Sequence, residues 1–334
     1  MQKTITDQNL CILIDILIKE GTRVVAPRQS GSIILYEPLD SGEQLALGTL
    51  PRRSAKETFF PLCETILTYE RNCDGVKVAD VDVAAFPETV LVGARPCDAA
   101  APSILDAVFT WDYNDEFFLE RRRKTTIIGL ACATADDACF CTATGLSPQD
   151  SKGSDLFLTP LTEGGYACDG FTEKGKAFLG RYASLFGEQG ETKPLPVSEP
   201  VAFRLDLAEI KTWLTENFES PLWQEIADRC AGCGACAFLC PVCHCFDIVD
   251  EGTDAKGARR KSWDACGFGK FTNHASGHNP RDIQNKRYRN RIMHKFKYYG
   301  DKFGQTLCTG CGRCIRHCPV GIDIKAVLEK IQKQ

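Results

Sequence analysis

The cysteine pattern CAGCGACAFLCP at residues 230–241 recurs as CTGCGRCIRHCP at residues 308–319. Each copy places three cysteines at two-residue gaps, then a fourth cysteine after three further residues, and then a proline. Gly232, Gly310 and Gly312 lie between the cysteines, and glycine allows a loop to bend tightly around a bound group. The repeat therefore indicates two similar binding sites in the C-terminal part of the chain.

This spacing resembles that of the bacterial ferredoxins, in which thiolates ligate four-iron clusters and the fourth cysteine of each run ligates the other cluster. The resemblance implies two [4Fe–4S] clusters. The first would have the ligands Cys230, Cys233, Cys236 and Cys318, and the second would have Cys308, Cys311, Cys314 and Cys240. The alternative is a pair of zinc sites. A zinc ion of this type takes two C-x2-C pairs, which a triplet followed by Cys-Pro does not supply.

Composition favours an intracellular redox or metal protein over a secreted, disulfide-linked one. The chain has 334 residues, 19 cysteines and a net charge of −4, whereas disulfides usually stabilise small secreted domains. Residues 1–10 lack the basic and apolar regions of a signal peptide, and the apolar run at 10–18 is too short to span a bilayer. We therefore expect a cytoplasmic protein without direct membrane insertion. Its acidic charge also argues against a nucleic-acid partner.

The pattern of apolar runs predicts two domains. Strands are predicted within residues 23–27, 31–39, 89–98, 124–133, 154–161 and 165–171, and helices within 6–21, 171–187 and 206–230. Residues 187–200 are rich in Gly, Pro and charge, which is typical of a linker. The predicted fold is an α/β N-terminal domain over residues 1–200. An α+β ferredoxin-like dicluster domain follows over 201–334, with a long, mostly helical insertion at 242–307.

Four cysteines of the N-terminal domain are predicted to converge. Cys97 and Cys132 each follow a predicted strand, and Cys139 and Cys141 lie in the loop after the second of these. Ligands of open α/β sheets gather beyond the carboxyl ends of the strands, and four thiolates suffice for a four-iron or two-iron cluster. These residues form a candidate third iron–sulfur site. The alternatives are one zinc ion with the same ligands or thiols that only fill the core.

Basic residues lie near the cysteines in two places. Arg95, beside Cys97, either stabilises the charge of a cluster or forms a surface ion pair. The tract at 286–297 is either a solvated helix face or an electropositive rim that steadies reduced clusters or docks an acidic partner. Its basic residues are Lys286, Arg287, Arg289, Arg291, Lys295 and Lys297.

Several longer segments resemble one protein family. CPVCHCFD (240–247), SWDACGFGKF (262–271) and RYRNRIMHKFKYY (287–299) are similar to its C-terminal half, and GARPCDAAA (93–101) and ACFCTATG (138–145) agree with its front half. The family comprises the iron–sulfur A subunit of anaerobic sulfite reductase and the β subunit of sulfhydrogenase-type, cytoplasmic nickel–iron hydrogenases. The resemblance implies an electron-transfer subunit of anaerobic metabolism. It would relay electrons between a flavin/NAD(P)H-binding subunit and a catalytic subunit of sirohaem or nickel–iron type.

Missing motifs point to a non-catalytic role. No G-x-G-x-x-G follows a strand, so no flavin or NAD of its own is expected. Each C-x2-C pair belongs to a ferredoxin-type run, which leaves none for a nickel–iron centre. An iron–sulfur sensor would need a recognition helix, and the sequence offers none. Cys243, Cys245 and Cys266 remain. They either screen a cluster from water, add ligands, or make the chain a thiol- or sulfur-reducing subunit.

Overall fold

The computed structural model describes residues 3–188, 193–196 and 203–334, and these form two compact units. The first unit comprises Met1–Phe59, Pro87–Arg204 and Cys308–Arg313, and the second comprises Phe60–Phe86, Leu205–Leu307 and Cys314–Gln334. Each unit is therefore assembled from separate stretches of the chain, and the boundary between them passes through the second cysteine motif.

Strands and helices alternate along much of the chain. The strands of the described residues are β1 (Lys3–Ile5), β2 (Arg23–Ser30), β3 (Ile33–Pro38), β4 (Cys63–Asn72), β5 (Gly75–Asp80), β6 (Thr89–Ala94), β7 (Thr125–Leu130), β8 (Leu156–Pro160), β9 (Tyr166–Gly170), β10 (Gly187–Glu188), β11 (Phe246–Gly252) and β12 (Lys256–Trp263). The helices are α1 (Asp7–Lys19), α2 (Pro96–Ala99), α3 (Ala101–Phe109), α4 (Glu116–Lys124), α5 (Glu173–Arg181), α6 (Leu207–Glu216), α7 (Leu222–Ala227), α8 (Ala235–Phe238), α9 (Gln284–Met293), α10 (Tyr299–Phe303), α11 (Arg313–Arg316) and α12 (Ile324–Gln332). Within the described ranges, no helix is both long enough and apolar enough to pass through a lipid bilayer.

An eight-stranded sheet in the order β10-β1-β9-β8-β7-β6-β2-β3 forms the first unit. Its four central strands, β2, β6, β7 and β8, run parallel. Helix α1 packs on the sheet with an apolar face at helical spacing, and burial of each large aliphatic side chain contributes about 1.5–3 kcal/mol. The buried residues of this face are Leu10, Leu13, Ile14 and Leu17. The predicted α/β character of this part of the chain is confirmed.

The ends of β6 and β7 position the cysteines that follow them. The two strands are parallel neighbours, with Val92 opposite Ile128, so their carboxyl ends lie side by side at one edge of the sheet. Helix α2 begins directly after Arg95 with Pro96 in its first turn, where a missing N–H costs nothing. Cys97 therefore lies within a turn of the end of β6.

The second unit contains an antiparallel sheet in the order β11-β12-β4-β5. Here the structure differs from the predicted division at residue 200, because residues 60–86 contribute β4 and β5 to this unit. Strand β4 pairs with β12 from Cys63 opposite Ser262 to Glu70 opposite Lys256. This pairing spans nearly 200 residues of sequence, which no local pattern reveals. The predicted boundary at residue 200 and most of the predicted linker at 187–200 lie outside the described residues.

The sequence predicted a mostly helical insertion at 242–307. The structure differs, because this segment is not mostly helical. It begins with the hairpin of β11 and β12 and continues through an irregular segment to α9, a π-helical turn at His294–Tyr298, and α10. Every residue of β11 is exposed, so the strand lacks the apolar alternation of a half-buried strand. Cross-strand ion pairs hold the hairpin instead, with Arg259 Nε 2.8 Å from Asp250 Oδ1.

Candidate iron–sulfur sites

The four cysteines predicted to ligate the first cluster line one cavity in the second unit. The predicted ligands on its wall are Cys230, Cys233, Cys236 and Cys318, and two further cysteines, Cys266 and Cys314, also line it. The cavity thus brings together cysteines from both copies of the motif. That Cys318 rather than Cys314 or Cys266 completes the ligand set remains a prediction.

The first motif wraps around this cavity by means of two glycines. Gly232 and Gly234 have φ angles of +63° and +73°, in the left-handed region that favours glycine. A Cβ atom added at Gly234 would lie 2.5 Å from Cζ of Phe268, so the loop and the insertion approach closely there. Helix α8 starts at the next residue and places Cys236 in its first turn.

Hydrogen-bond donors surround the cavity. Gln284 Nε2 donates to the Sγ of Cys230 at 3.1 Å. Arg291, which is only 5% exposed, donates from Nη2 to the Cys236 carbonyl oxygen at 3.0 Å. Donors to sulfur and a buried positive charge favour an electron-rich cluster and set its potential. These residues therefore fit the charge of a four-iron cluster.

The neighbours of Cys240, a predicted ligand of the second cluster, favour its thiolate form in the second unit. A hydrogen bond from Cys243, together with the charges of Lys295 and Arg291, holds the pKa of Cys240 well below its usual range. Lys295 Nζ lies 3.3 Å from Cys240 Sγ and donates to Leu307 O at 2.9 Å. Since the thiolate is the form that binds metal, the environment suits a ligand.

The basic residues of the tract at 286–297 include both buried and solvated side chains. Arg291 in α9 and Lys295 in the π-helical turn that follows are four residues apart and are both buried next to cysteines. Lys286 and Lys297 form ion pairs with Asp282 and Asp301 on the outer side. Neither a wholly solvated face nor a continuous electropositive rim describes the tract. Two of its cations serve the cysteine sites, and the remainder includes solvated residues.

The second predicted ligand set is divided between the units. Cys308 and Cys311 belong to the first unit, whereas Cys240 and Cys314 belong to the second. Its assembly into one site remains a prediction.

Within the first unit, the start of the second motif packs on the loop that contains Cys139 and Cys141. Phe140 N donates to Gly310 O at 2.9 Å. Gly310 and Gly312 have φ angles of +61° and +70°. A Cβ at Gly310 would lie 2.5 Å from Cys141 Cα, and one at Gly312 would lie 2.5 Å from Ala138 O. Only glycine fits at these two positions without moving the backbone.

A glycine substitution tests this close approach. Gly310→Ala is expected to cost about 1–2 kcal/mol for the left-handed backbone and about 1–3 kcal/mol more for the collision. Gly304→Ala is the matched control, because Gly304 has a φ of +70° and open space at its Cβ position. We expect only the first cost for Gly304→Ala. Urea unfolding of anaerobically prepared protein measures both losses, and equal losses would contradict the close approach.

The four cysteines of the candidate third site are electrostatic neighbours in the first unit. Burial is the largest cause that raises the pKa of Cys97, Cys132 and Cys141. The charge of Cys132 raises the pKa of Cys97 further, that of Cys139 raises the pKa of Cys132, and both Cys139 and Cys132 act on Cys141, whose pKa is about 12. The four thiols are therefore close enough to influence one another. Their role as ligands remains a prediction.

Arg95 is a buried residue, so its interpretation as a surface ion pair is wrong. It donates from Nη1 to Ala131 O at 3.1 Å and from Nη2 to Leu47 O. Its Nε is buried and has no hydrogen-bond partner among the described residues. The charge of Arg95 lowers the pKa of Cys132. This supports the interpretation that Arg95 stabilises negative charge at the candidate third site.

A buried ion pair that sequence reasoning missed lies beside these cysteines. Arg313 Nη1 and Nη2 donate to Asp98 Oδ1 and Oδ2 at 2.8 and 2.7 Å, and the two side chains are 1% and 0% exposed. Tyr36 also donates to Asp98 Oδ2 at 3.1 Å. The pair connects the residue after Cys97 with the residue two after Cys311, and so joins the two cysteine segments inside the first unit.

Among the described residues, no three of His, Cys, Asp and Glu converge closely enough to hold one metal ion. The cysteines of a cube each bind a different iron and are therefore further apart than the ligands of one zinc ion. The described residues include all 19 cysteines, and none forms a disulfide bond.

Comparison with known proteins agrees with this geometry. Residues 229–322 match a family model described as a 4Fe-4S dicluster domain. The chain is 29% identical over 325 residues to Sulfhydrogenase 2 subunit beta of Pyrococcus furiosus, which covers 95% of this chain and 94% of the relative. No solved structure matches the chain. The predicted resemblance is confirmed, and residues 229–322 are similar to a 4Fe-4S dicluster domain.

Proposed function

Because the chain resembles a sulfhydrogenase β subunit over nearly its whole length, we propose that it is an electron-transfer subunit of an oxidoreductase complex. The observation that carries the proposal is the cavity of the second unit, where Cys230, Cys233, Cys236 and Cys318 meet beneath the buried Arg291. A site made of four cysteines and a buried cation fits a bound cluster.

The motif cysteines would ligate the clusters, and two buried cations would stabilise their negative charge. When bound, a four-iron cluster accepts and releases one electron. Cys230, Cys233, Cys236 and Cys318 would hold the first cluster, and Arg291 would offset its charge. The second cluster would use the remaining motif cysteines, which are Cys308, Cys311, Cys314 and Cys240. Lys295 would stabilise the thiolate of Cys240.

We further propose that Cys97, Cys132, Cys139 and Cys141 hold a third cluster in the first unit. The adjacent carboxyl ends of β6 and β7 and the mutual electrostatic effects of the four thiols support this proposal. Arg95 and Arg313 would supply compensating positive charge, since each lowers the pKa of a cysteine in this set.

The proposed complex contains two partner subunits. A flavin/NAD(P)H-binding subunit would exchange electrons at one end, and a catalytic subunit would use them at the other. The relative is by its name a subunit of a sulfhydrogenase, which supports a nickel–iron partner ahead of a sirohaem sulfite reductase. The absence of disulfides among 19 cysteines supports a reducing compartment such as the cytoplasm.

Iron analysis of protein prepared without oxygen tests the proposal. We expect about eight irons and equal acid-labile sulfide per chain for two clusters, or about twelve if the first unit holds a third. Dithionite reduction should give electron paramagnetic resonance signals of interacting reduced clusters. Fewer than about six irons together with stoichiometric zinc would contradict the proposed relay, because zinc carries no electrons.

A further inference from the structure

A second, smaller cavity in the second unit is lined by cysteines that belong to neither motif. Its wall includes Cys243, Cys245 and Cys266 together with the cations Arg291 and Lys295. Cys243 donates a hydrogen bond to the predicted cluster ligand Cys240, so it supports that ligand. Cys245 and Cys266 form a hydrogen bond with each other, and the nearby charge of Cys243 also raises the pKa of Cys245.

The hairpin of the insertion brings Cys245 and Cys266 together. Cys245 directly precedes β11 and Cys266 follows β12 by three residues, and the hairpin is closed at this end by Phe246 opposite Trp263. Asp264 N donates to Cys245 O at 2.9 Å and extends the pairing to these residues. The thiol of Cys245 donates a hydrogen bond to the sulfur of Cys266. The fold thus holds two sulfurs in contact at the base of a rigid hairpin.

The surroundings make this pair chemically unequal. The hydrogen bond from Cys245 and the charges of Arg291 and Lys295 lower the pKa of Cys266 to about 6. The same hydrogen bond and burial raise the pKa of Cys245. The hydrogen bond and the cations therefore favour the thiolate form at Cys266 over the thiolate form at Cys245. Such a pair reacts readily in thiol–disulfide chemistry, because the thiolate is the nucleophile.

Cys266 also faces the larger cavity. It lines the space shared by Cys230, Cys233, Cys236 and Cys318, where we place the first cluster. The neighbouring cation Arg291 lines both cavities. A two-electron sulfur pair and a one-electron carrier would thus share a wall, which gives electrons a short route between them.

We propose that Cys245 and Cys266 are a redox-active dithiol that exchanges two electrons with the four-iron clusters by making and breaking a disulfide bond. In the oxidising direction, the Cys266 thiolate and the Cys245 thiol form one S–S bond, and the S–H bond of Cys245 breaks. The proton of Cys245 leaves to water. Two oxidised clusters each take one electron, and the reverse reaction consumes two electrons and one proton. This inference rests on the proposed relay function only for the identity of the electron partner.

The disulfide is tested directly on the full-length protein. Anaerobic protein is treated with ferricyanide, quenched in acid, alkylated and digested, and the peptides are analysed by mass spectrometry. We expect a cross-linked peptide pair that joins Cys245 to Cys266 and disappears after reduction. Exposed Cys63 serves as the control thiol and should be alkylated before and after oxidation. If both cysteines are alkylated after oxidation, the proposal is wrong.

A reductive titration of the oxidised protein tests the electron count. The Cys266→Ala variant should take up about two electrons fewer per chain than the wild type, since a disulfide is a two-electron couple, and its iron content should not change. Cys63→Ala should match the wild type in both measurements. Equal electron counts in all three proteins would overturn the proposal. A loss of about four irons from Cys266→Ala would also overturn it, because the residue would then be a cluster ligand. A wild type without iron that still forms the cross-link would instead refute the relay function.

Discussion

Replacing Asp98 by alanine is expected to lower the free energy of unfolding by about 3–5 kcal/mol, because it leaves the buried charge of Arg313 without its partner. The two side chains are at most 1% exposed and are joined by two parallel hydrogen bonds. Among the described residues, Arg313 would keep the bond from its Nε to Pro51 O at 3.1 Å. Urea unfolding under anaerobic conditions, followed by tryptophan fluorescence and by cluster absorbance, measures the loss.

Two controls separate the buried charge from other effects. The double variant Asp98→Leu with Arg313→Met removes both charges and should recover most of the loss, as buried ion pairs often tolerate apolar replacement. Asp250→Ala breaks the exposed pair with Arg259, whose side chains are 52% and 48% exposed, and should cost no more than about 1 kcal/mol. A loss for Asp98→Ala that is as small as that for Asp250→Ala would show that the pair is solvated in solution.

The Asp98–Arg313 pair also explains a constraint on the second motif. Arg313 occupies a position between two predicted ligands, Cys311 and Cys314, where the first motif has Ala235. The two motifs are therefore not interchangeable. Within the first unit, the second motif is anchored by a charge to the residue next to Cys97, and Gly310 is packed on the loop of Cys141. With this anchor, Cys311 lies close enough to Cys97 for its charge to raise the pKa of Cys97.

The sequence predicted those elements whose signal is local. Strands β6 and β7 are buried along almost their whole length and read as continuous apolar runs, which is typical of a covered parallel sheet. Strand β5, in contrast, is exposed at every residue and is defined only by its pairing with β4. The assignment of residues 60–86 to the second unit depends on β12, which is distant in sequence, so local patterns could not supply it.

The same distinction applies to the sites. The local spacing of the cysteines predicted two binding motifs, and the resemblance to ferredoxins implied one crossed set of four. The structure places these four around one cavity, together with Cys266 and Cys314. Arg291 and Lys295 could not be separated from the other basic residues of their tract, since burial depends on which helix face packs inward. The π-helical turn that begins at His294 changes this face within the tract, and turns of that kind frequently occur at functional sites.

Replacing Cys318 by alanine is expected to remove about four irons per chain, as loss of one ligand should release one whole cube. Cys318 lines the cavity of the first motif although it belongs to the second. Cys233→Ala should therefore remove the same cluster, and the same paramagnetic signal. The double variant should also lose only about four irons, because both residues act on one site. Iron and sulfide analysis of the three variants, prepared in parallel without oxygen, measures this.

The matched control for this series is Cys63→Ala, which removes an exposed cysteine of β4 outside both motifs and should keep the full iron content. If the double variant loses about eight irons while each single variant loses about four, the two cysteines serve different clusters. Each motif would then close its own cube, and the crossed arrangement would be wrong. A cube closed within one motif needs the fourth cysteine to turn back toward its own loop. Instead, the hydrogen bond from Ile322 N to Cys318 Sγ at 3.2 Å fixes this sulfur on the wall that the first motif lines, so we expect a single shared cluster.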